Sequence, residues 1–354
     1  MRLVKVLVVD DSAYNRDAIS AMLESSPFIV VAGTACDGED AIEKAIKLKP
    51  DVITLDLEMP KMDGFTFLRW LMKSMPVPVI VVSSRADDKS VIRALEFGAV
   101  DFLAKPVKHG SSLENLKFEL VEKVKKYSRL DMDRVKSSVE LLDRSTREKP
   151  APIGWQAPES GMADLVVIGA STGGPPAIQA ILTRLPADFP AAIAVSQHMP
   201  ARFTQFFAER LDKLSQLEIM EAGDGDQLLP GRVLIAPGGA HLTFQRAEGG
   251  IAAVVQDSKP ADKYTPSVDI MMKSAAAQYG RRAMGVILTG MGNDGREGMT
   301  MIKRLGGVTL AESRDTAVIY GMPKEAIDAG VIDSVVPLDR MAEVILKNCT
   351  GSRK

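Results

Sequence analysis

Residues 4–11 read VKVLVVDD, a short aliphatic run that ends on two acidic residues, Asp10 and Asp11. A run this short and this rich in valine favours a buried β-strand over a helix. Four similar runs follow, separated by amphipathic helical patterns, at 29–33, 52–55, 77–83 and 100–103. Strands that alternate with helices in this way predict a five-stranded parallel sheet, a flavodoxin-like arrangement, covered by helices on both faces.

The length of the chain predicts more than one domain. At 354 residues it exceeds what one hydrophobic core usually supports. A stretch of mixed charge, followed by proline and glycine, interrupts the alternating pattern at 127–162. We therefore expect a first domain at 1–126, an interdomain linker at 127–162 and a second α/β domain at 163–354. The charged first part of the linker could be helical, and its second part is predicted to be extended.

Composition and charge exclude several classes of protein. Apolar residues make up 46% of the chain, charged residues 25%, and the net charge is −2, so nothing indicates nucleic-acid binding or an anionic membrane surface. Cys36 and Cys349 are too few for a disulfide framework, which favours a reducing compartment. No apolar stretch reaches the ~20 residues that span a bilayer, and the N-terminus does not resemble an export signal. We expect a cytoplasmic monomer without membrane insertion.

A second alternating series fills the C-terminal half. Its strand patterns lie at 165–168, 192–196, 217–222, 233–236, 284–288, 308–311 and 331–335, with helical patterns such as 175–185, 202–214 and 267–279 between them. Residues 241–245 and 251–256, joined by Glu248-Gly249-Gly250, are typical of an antiparallel hairpin. The sequence predicts a doubly wound, mostly parallel α/β domain with a small hairpin.

Five polar side chains end strands of the first domain. Asp10 and Asp11 end the first strand and Asp56 the third, and such ends meet at one edge of a parallel sheet. Clustered carboxylates repel one another and suit Mg²⁺. Ser83 and Lys105 end the next two strands, where a hydroxyl and an ammonium group suit a phosphoryl group on an aspartate. Acidic residues also end strands as turn formers or helix caps, but five at one edge favour the phosphoryl site.

A candidate nucleophile follows the first strand of the second domain. Residues 169–173, GASTG, fit the G-x-S-x-G turn that exposes a serine, here Ser171. Pro175 and the preceding glycines suit a helix N-terminus, whose N–H groups can stabilise an oxyanion. A Gly-rich turn after a strand is also typical of a phosphate or dinucleotide cradle. The absence of a following lysine and of a full G-x-G-x-x-G pattern counts against that alternative.

The serine needs a base and an orienting carboxylate. Of the histidines His109, His198 and His241, only His198 ends the strand next after Ser171, and successive strands are often neighbours. Asp294, in the stretch TGMGNDG after the strand at 284–288, is the candidate carboxylate. A structural role for His198 and a helix-capping role for Asp294 remain open alternatives. The order Ser–His–Asp differs from that of α/β-hydrolases, which predicts a different serine hydrolase.

The first domain resembles response-regulator receiver domains. The resemblance lies in Asp10-Asp11, LDLEMP at 55–60 with Asp63-Gly64, Ser83-Ser84 and Lys105-Pro106. It implies phosphorylation of Asp56, and Mg²⁺ bound by Asp10, Asp11, Asp56 and the backbone carbonyl of Glu58. It also implies a switch formed by Ser83, Phe102 and Lys105. Many receivers carry threonine and tyrosine where this chain has Ser83 and Phe102, so the hydroxyl and the ring are kept but the phenol is lost.

The second domain resembles the catalytic domain of the chemotaxis methylesterase CheB. The matching stretches are GASTGG at 169–174, QHMP at 197–200, APGG at 236–239 with His241, PSVD at 266–269 and TGMGNDG at 289–295. The resemblance implies hydrolysis of glutamate γ-methyl esters, with release of methanol, and deamidation of glutamines on chemoreceptors. Ser171 would attack, His198 would act as base and Asp294 would orient it. Backbone N–H groups near Thr172 and Met291 are the candidate oxyanion hole, and no metal is implied in this half.

The two resemblances together imply regulation and partners. Methyl-accepting chemoreceptors would be the substrate and a chemotaxis histidine kinase the phosphodonor. The unphosphorylated receiver would restrict access to Ser171, and phosphorylation of Asp56 would relieve this. The alternatives are a receiver with a nucleic-acid-binding output or with a non-catalytic nucleotide-binding domain. Residues 161–354 carry 20 Lys and Arg against 21 Asp and Glu, without the basic excess of nucleic-acid binders.

Overall fold

The computed structural model describes residues 2–83, 88–105, 112–145 and 163–350. It divides into two compact units, Met1–Val139 and Glu140–Lys354, and each is described by itself. Two motif residues, Ser84 and Pro106, lie outside the described residues. So do His109 and the second part of the predicted linker, at 146–162. The predicted domain limits at 126 and 163 stay a prediction.

The first unit contains the predicted parallel sheet. Its strands are β1 (Val4–Val9), β2 (Ile29–Ala35), β3 (Val52–Leu55), β4 (Val79–Ser83) and β5 (Asp101–Ala104). Its helices are α1 (Ala13–Glu24), α2 (Gly38–Leu48), α3 (Gly64–Ser74), α4 (Asp88–Glu96), α5 (Ser112–Tyr127) and α6 (Met132–Ser145), the last of which continues into the second unit. The strand order is β2-β1-β3-β4-β5, and every pairing between neighbours is parallel. Helix α6 occupies the charged first part of the predicted linker.

Local sequence explains where several of these helices begin. The side chains of Ser12, Asp37 and Asp63 each accept a hydrogen bond from a backbone N–H of the helix that follows. These contacts satisfy donors that a helix N-terminus otherwise leaves unpaired. The strands supply the core, since β3 and β4 are buried along their whole length.

The second unit is a larger sheet of the predicted class. Its strands are β6 (Leu165–Ala170), β7 (Ala192–Gln197), β8 (Glu218–Glu221), β9 (Arg232–Ile235), β10 (Ala240–Ala247), β11 (Gly250–Asp257), β12 (Ala283–Ile287), β13 (Val308–Glu312) and β14 (Ser334–Val336). Its further helices are α7 (Gly174–Leu182), α8 (Phe203–Leu214), α9 (Val268–Tyr279), α10 (Arg296–Arg304), α11 (Met322–Asp328) and α12 (Leu338–Thr350), with a 3₁₀ turn at Gly280–Arg282. Seven strands pair in parallel in the order β14-β13-β12-β6-β7-β9-β8, and β10 and β11 form the predicted hairpin.

Strand β6 is the topological switch point of the sheet, with earlier strands added on one side of it and later strands on the other. From β6 the chain runs outward through β7, β9 and β8, and later returns to place β12, β13 and β14 on the other side of β6. In such sheets the loops beyond the carboxyl ends diverge at the reversal and leave a crevice for ligands. The predicted doubly wound topology is thus confirmed, with its reversal at the strand that precedes Ser171.

Most strand bounds lie within two residues of the prediction, and the differences at the hairpin and at the last strand have local causes. The hairpin connection is the two-residue loop Glu248–Gly249, because Gly250 already pairs with Ala247; Gly249 has φ +87°, which glycine adopts without strain. The last strand begins at Ser334 and not at Val331. Asp333, the residue before this strand, accepts the Thr309 N–H with its side chain at 2.9 Å. A side chain therefore takes the place of a backbone hydrogen bond between β13 and β14 at this position.

The helices of the described ranges include none that is both long enough and apolar enough to cross a membrane.

We predict that Tyr127→Phe destabilises the first unit. Tyr127 is fully buried, and its hydroxyl donates a 2.5 Å hydrogen bond to Asp101 Oδ2. Loss of a hydrogen bond to a charged group should lower the free energy of unfolding by about 1.5–3 kcal/mol. Urea unfolding measures the effect. Tyr14→Phe is the control, since Tyr14 is 74% exposed, and should change stability by less than about 0.5 kcal/mol. Equal unfolding midpoints for the two variants would contradict the assigned role of this hydrogen bond.

Candidate active site and candidate metal centre

The three candidate catalytic residues follow three adjacent strands of the second unit. Asp294 lies in the turn after β12, Ser171 follows β6 directly, and His198 follows β7 directly. Backbone hydrogen bonds tie these turns together, from Ser171 N–H to the Thr289 carbonyl at 3.0 Å and from His198 N–H to the Ala170 carbonyl at 3.1 Å. The strand order therefore places all three at the crevice beside β6.

His198 and Asp294 are in direct contact. The distance between His198 Nε2 and Asp294 Oδ2 is 2.8 Å, and Asp294 is 2% exposed. The carboxylate also accepts the Ser267 hydroxyl at 3.0 Å and the N–H groups of Val268 and Asp269 at 2.8 and 2.9 Å. Burial by itself would raise the pKa of Asp294, but the hydrogen bond and charge of His198 and these N–H groups outweigh it and lower the pKa. Asp294 is thus held as a carboxylate.

Ser171 sits against a tightly packed backbone. A Cβ atom at Gly290 would lie 2.8 Å from Ser171 Cβ, so only glycine fits beside the serine. Gln197 links the serine and the histidine, because its Nε2 donates to the carbonyls of Ser171 and His198, both at 3.0 Å. The hydrogen bonds of the described residues do not include one between Ser171 Oγ and the His198 ring. Such contacts are often long before substrate binds.

The candidate oxyanion-hole residues are Thr172, which follows Ser171 in the chain, and Met291, which follows its close neighbour Gly290. Thr172 begins the turn into α7, and its carbonyl accepts the Thr289 hydroxyl at 2.9 Å. Gly173 has φ +79° at the N-cap of α7 and supplies no side-chain cap. The Gly174 N–H donates to the Ser171 carbonyl at 2.8 Å, and Pro175 and Pro176 have no N–H, so these first residues of α7 add no donor for an oxyanion. Met291 follows Gly290 and is 51% exposed. The predicted role of Thr172 and Met291 stays a prediction.

A second histidine–carboxylate pair is linked to the first through Ser267. His241 Nε2 is 2.9 Å from Asp262 Oδ2, and His241 Nδ1 accepts the backbone N–H of Ser267 at 3.2 Å. The Ser267 hydroxyl contacts Asp294 and the N–H of Ile270, at the N-cap of α9. Both His241 nitrogens are therefore engaged, and neither faces a serine hydroxyl.

One buried carboxyl supports the turn beside the serine. Glu312 ends β13 and is 0% exposed. It accepts the Thr289 N–H at 2.8 Å and the Thr316 hydroxyl at 3.0 Å. Burial raises the pKa of Glu312 to about 7, despite these two hydrogen bonds. Since the Thr289 carbonyl in turn accepts the N–H of Ser171, Glu312 is linked to the serine through one residue.

An acidic cluster ends the central strands of the first unit. Asp10 follows β1, Asp56 follows β3, and oxygens of Asp10, Asp11 and Asp56 lie within 4.8 Å of one another. Lys105 Nζ is 2.9 Å from Asp10 Oδ2 and also contacts Asp56 Oδ2. Burial raises the pKa of Asp56, Lys105 opposes this, and the charge of Asp10 adds to it. Three hard oxygen donors at this distance fit a Mg²⁺ ion.

The remaining predicted receiver residues surround this cluster or line the sheet. Ser83 is buried at the end of β4, and Phe102 is buried on β5. The Glu58 N–H donates to Asp56 Oδ1 at 3.3 Å, while the Glu58 side chain is exposed. Their predicted switch and ligand roles stay predictions.

Sequence reasoning did not single out several residues that support the second site. These are Gln197, Tyr264, Ser267, Thr289, Gly290 and Glu312. Gln197, Ser267, Thr289 and Gly290 lie within the motif stretches, but nothing in the pattern indicated their contacts. Tyr264 stacks on His198 with ring centroids 4.8 Å apart and an interplanar angle of 5°. It stands far from both His198 and Asp294 along the chain.

Comparisons with known proteins agree with this architecture. A family model described as CheB methylesterase matches residues 166–345, and one described as response regulator receiver domain matches residues 6–117. A Geobacter sulfurreducens protein, "Protein-glutamate methylesterase/protein-glutamine glutaminase 3", is 50% identical over 364 residues, which cover 99% of this chain and 98% of that protein.

The chain belongs to the CheB methylesterase family.

Other CheB-family proteins show the same extent of similarity. "Protein-glutamate methylesterase/protein-glutamine glutaminase 6" of Anaeromyxobacter dehalogenans is 45% identical over 356 residues, which cover 99% of this chain and 97% of that protein. The crystal structure of the Thermotoga maritima CheB methylesterase catalytic domain is 42% identical, with a TM-score of 0.51 over 52% of this chain and 98% of that one. Membership in the CheB family favours the enzyme over the nucleic-acid-binding and nucleotide-binding alternatives.

We predict that Glu312→Gln changes how stability depends on pH. The folded-state pKa of about 7 lies above the ordinary value of 4.5, so the protonated form is favoured in the folded protein. The free energy of unfolding that the protonated Glu312 contributes is fully present below pH 4.5, the ordinary pKa of a glutamate, and is lost as the pH rises to about 7. The wild type should therefore lose about 2–3 kcal/mol more unfolding free energy than Glu312→Gln between about pH 4.5 and about pH 7.5.

Urea unfolding of the two proteins across this pH range measures the difference, and titrations common to both cancel. Glu325→Gln is the matched control, because Glu325 on α11 is not buried. Parallel stability curves for wild type and Glu312→Gln would show that this carboxyl does not titrate as described.

Proposed function

We propose that Ser171, His198 and Asp294 form the catalytic triad of this enzyme. The chain is a protein-glutamate methylesterase and protein-glutamine glutaminase with a response-regulator receiver domain. The observation that carries the triad is the 2.8 Å contact of His198 with the buried Asp294, at the strand ends that flank Ser171. His241 is a poorer base, because both of its nitrogens are already hydrogen-bonded.

The contacts of His198 indicate the direction of proton transfer. Asp294 accepts from Nε2, which leaves the lone pair on Nδ1 for the serine proton. Ser171 Oγ attacks the γ-carbonyl carbon of a methylated glutamate and its proton moves to Nδ1. Asp294 stabilises the resulting imidazolium. Backbone N–H groups near Thr172 and Met291 would bind the oxyanion of the tetrahedral intermediate.

The intermediate then collapses to an acyl-enzyme. The C–O bond to the methoxy group breaks, and methanol leaves with the proton from His198. Water then attacks the acyl-enzyme while His198 takes one of its protons. The bond to Ser171 Oγ breaks as His198 returns that proton to the serine oxygen, and the glutamic acid product loses its own proton to solvent. A glutamine side chain follows the same course with ammonia as the leaving group. No step in this half calls for a metal.

For the first unit, we infer that Asp56 accepts the phosphoryl group. Asp10, Asp11, Asp56 and the backbone carbonyl of Glu58 would hold Mg²⁺, which supplies positive charge for the phosphoryl oxygens. Lys105 already contacts Asp10 and Asp56 and would bind one phosphoryl oxygen. Ser83 would donate a hydrogen bond to another, and Phe102 would move with it as the switch.

The proposed partners and regulation follow from the family. Methyl-accepting chemoreceptors are the proposed substrate, a chemotaxis histidine kinase is the proposed phosphodonor, and the cytoplasm is the proposed location. Phosphorylation of Asp56 would increase access of the receptor to Ser171. The 127–162 segment, proposed as the linker, would permit this change.

We predict that Ser171→Ala lowers methanol release from a methylated receptor fragment by at least about a thousandfold, because no nucleophile remains. Phosphorylation of Asp56 by acetyl phosphate should be unchanged. Ser334→Ala, on the edge strand β14 of the same unit, is the control and should retain activity. Methanol release at the wild-type rate by Ser171→Ala would refute the triad.

We predict that Asp56→Asn removes the response to a phosphodonor. The amide cannot accept a phosphoryl group, so acetyl phosphate should accelerate methanol release by the wild type and leave the variant at its basal rate. The two rates without phosphodonor are measured in parallel. An equal acceleration of both proteins would show that the control acts through another group.

We predict that Asp11→Ala weakens Mg²⁺ binding by about tenfold or more, since one of three carboxylates is lost. Isothermal titration calorimetry measures the affinity. Glu58→Gln is the matched control, because Glu58 is proposed to bind through its backbone carbonyl and its side chain is exposed; its affinity should stay within about twofold of wild type. Equal losses in the two variants would contradict this ligand set.

A further inference from the structure

Tyr264 lies face to face with the proposed catalytic base. Its ring centroid is 4.8 Å from that of His198, with an interplanar angle of 5°. We propose that Tyr264 is a positioning residue that fixes the plane of the His198 imidazole and stabilises its protonated form during catalysis. This inference rests on the proposed triad and extends it to Tyr264, which precedes the PSVD stretch at 266–269.

The turn that carries Asp294 leaves room for this ring. Gly292 has φ +95°, and a Cβ atom at that position would lie 2.4 Å from the Tyr264 hydroxyl oxygen. A side chain at 292 would therefore strain the backbone and also displace the tyrosine. The turn at 289–295 thus supplies Asp294, which contacts the edge of the His198 ring, and Gly292, which leaves space for Tyr264 on the face of that ring.

The segment that carries Tyr264 is held by the second histidine–carboxylate pair. Residues 258–267 form neither helix nor strand. The buried His241 ring contacts Asp262 on one side of Tyr264, at 2.9 Å, and the Ser267 N–H on the other, at 3.2 Å. Asp262 also accepts the Lys259 N–H at 2.7 Å. His241 therefore clamps both ends of the short stretch that presents Tyr264.

The same segment also reaches the carboxylate of the triad. The Ser267 hydroxyl donates to Asp294 Oδ1 at 3.0 Å, while Asp294 Oδ2 contacts His198. Residues 262–267 therefore touch the face of the imidazole through Tyr264 and its partner carboxylate through Ser267. His241 supports both contacts, which accounts for a buried histidine that takes no part in the proposed proton transfer.

The chemistry of an aromatic face favours the charged form of His198. The face of a phenol ring carries partial negative charge and attracts a cation, whereas it contributes less to a neutral imidazole. Charged groups near this stack include Asp294, at the His198 edge, Asp269, which interacts electrostatically with Asp294, and Lys263, whose Nζ lies 4.9 Å from the Tyr264 ring centroid. Asp294 and the face of the tyrosine ring both favour the imidazolium, whereas the positive charge of Lys263 opposes it.

Substitution of Tyr264 tests the inference. Tyr264→Leu keeps apolar bulk but removes the aromatic face, and Tyr264→Phe keeps the face and removes only the hydroxyl. Methanol release from a methylated receptor fragment is measured with the full chain and acetyl phosphate, as a function of substrate concentration and pH. Tyr14→Leu, an exposed tyrosine on α1, is the control for loss of a tyrosine elsewhere in the chain.

We expect Tyr264→Leu to lower kcat by about threefold to tenfold with little change in KM. Weaker stabilisation of the imidazolium should also move the acid limb of the pH–kcat profile to lower pH. Tyr264→Phe should keep kcat within about twofold of wild type and keep the acid limb in place. His241→Leu, which has neither an acceptor for the Ser267 N–H nor a donor for Asp262, should shift kcat and the acid limb in the same direction as Tyr264→Leu.

Three outcomes would overturn the inference. The first is a wild-type kcat and acid limb in Tyr264→Leu. The second is a loss confined to KM, which would make Tyr264 a substrate-binding residue. The third is an equal loss in Tyr264→Phe, which would assign the effect to the hydroxyl. Ser171→Ala, assayed alongside, separates the proposals: if it stays active the triad fails, and if it is inactive while Tyr264→Leu is normal, only the stacking role fails.

Discussion

The buried carboxylate of Asp294 is the constraint on which the second unit depends. A charge removed from water is costly unless hydrogen bonds compensate it. Asp294 receives four, from His198, the Ser267 hydroxyl and the N–H groups that open α9. These donors come from separate parts of the chain, so the carboxylate is stable only when β7, β12 and α9 are all in place. Formation of the site and formation of the fold are thus coupled.

Both units solve the problem of assembling a polar site in the same way. In each parallel sheet, two of the candidate site residues follow adjacent strands at the point where successive strands switch from one side of the sheet to the other. Asp10 and Asp56 follow β1 and β3 in the first unit, and Ser171 and Asp294 follow β6 and β12 in the second. The backbone there diverges, so side chains from strands distant in sequence can meet without disturbing the core. Asp10 and Asp56 meet in one unit, and the turns of Ser171 and Asp294 flank one another in the other.

Close backbone packing then sets the finer geometry around Ser171. A Cβ atom at Gly174 would lie 2.0 Å from the Gln197 amide oxygen, and one at Gly290 would lie 2.8 Å from Ser171 Cβ. Gln197 can therefore bridge the serine and histidine turns from within the core. The N–H of Thr289, the residue before Gly290, donates to the buried Glu312 carboxyl. Because the Thr289 carbonyl accepts the Ser171 N–H, this contact also supports the serine.

The sequence by itself predicted both α/β units, nearly all strand bounds to within two residues, and the acidic cluster, and it named His198 and Asp294 as a candidate pair. Strand periodicity and the residues at strand ends are local signals, and the resemblances rest on short contiguous motifs. Tertiary structure alone decided the strand order, the stack of Tyr264 on His198, and the contacts of Ser267 and Glu312. These depend on which distant segments the sheet brings together, and a buried hydrogen bond between such segments leaves no periodic trace in the sequence.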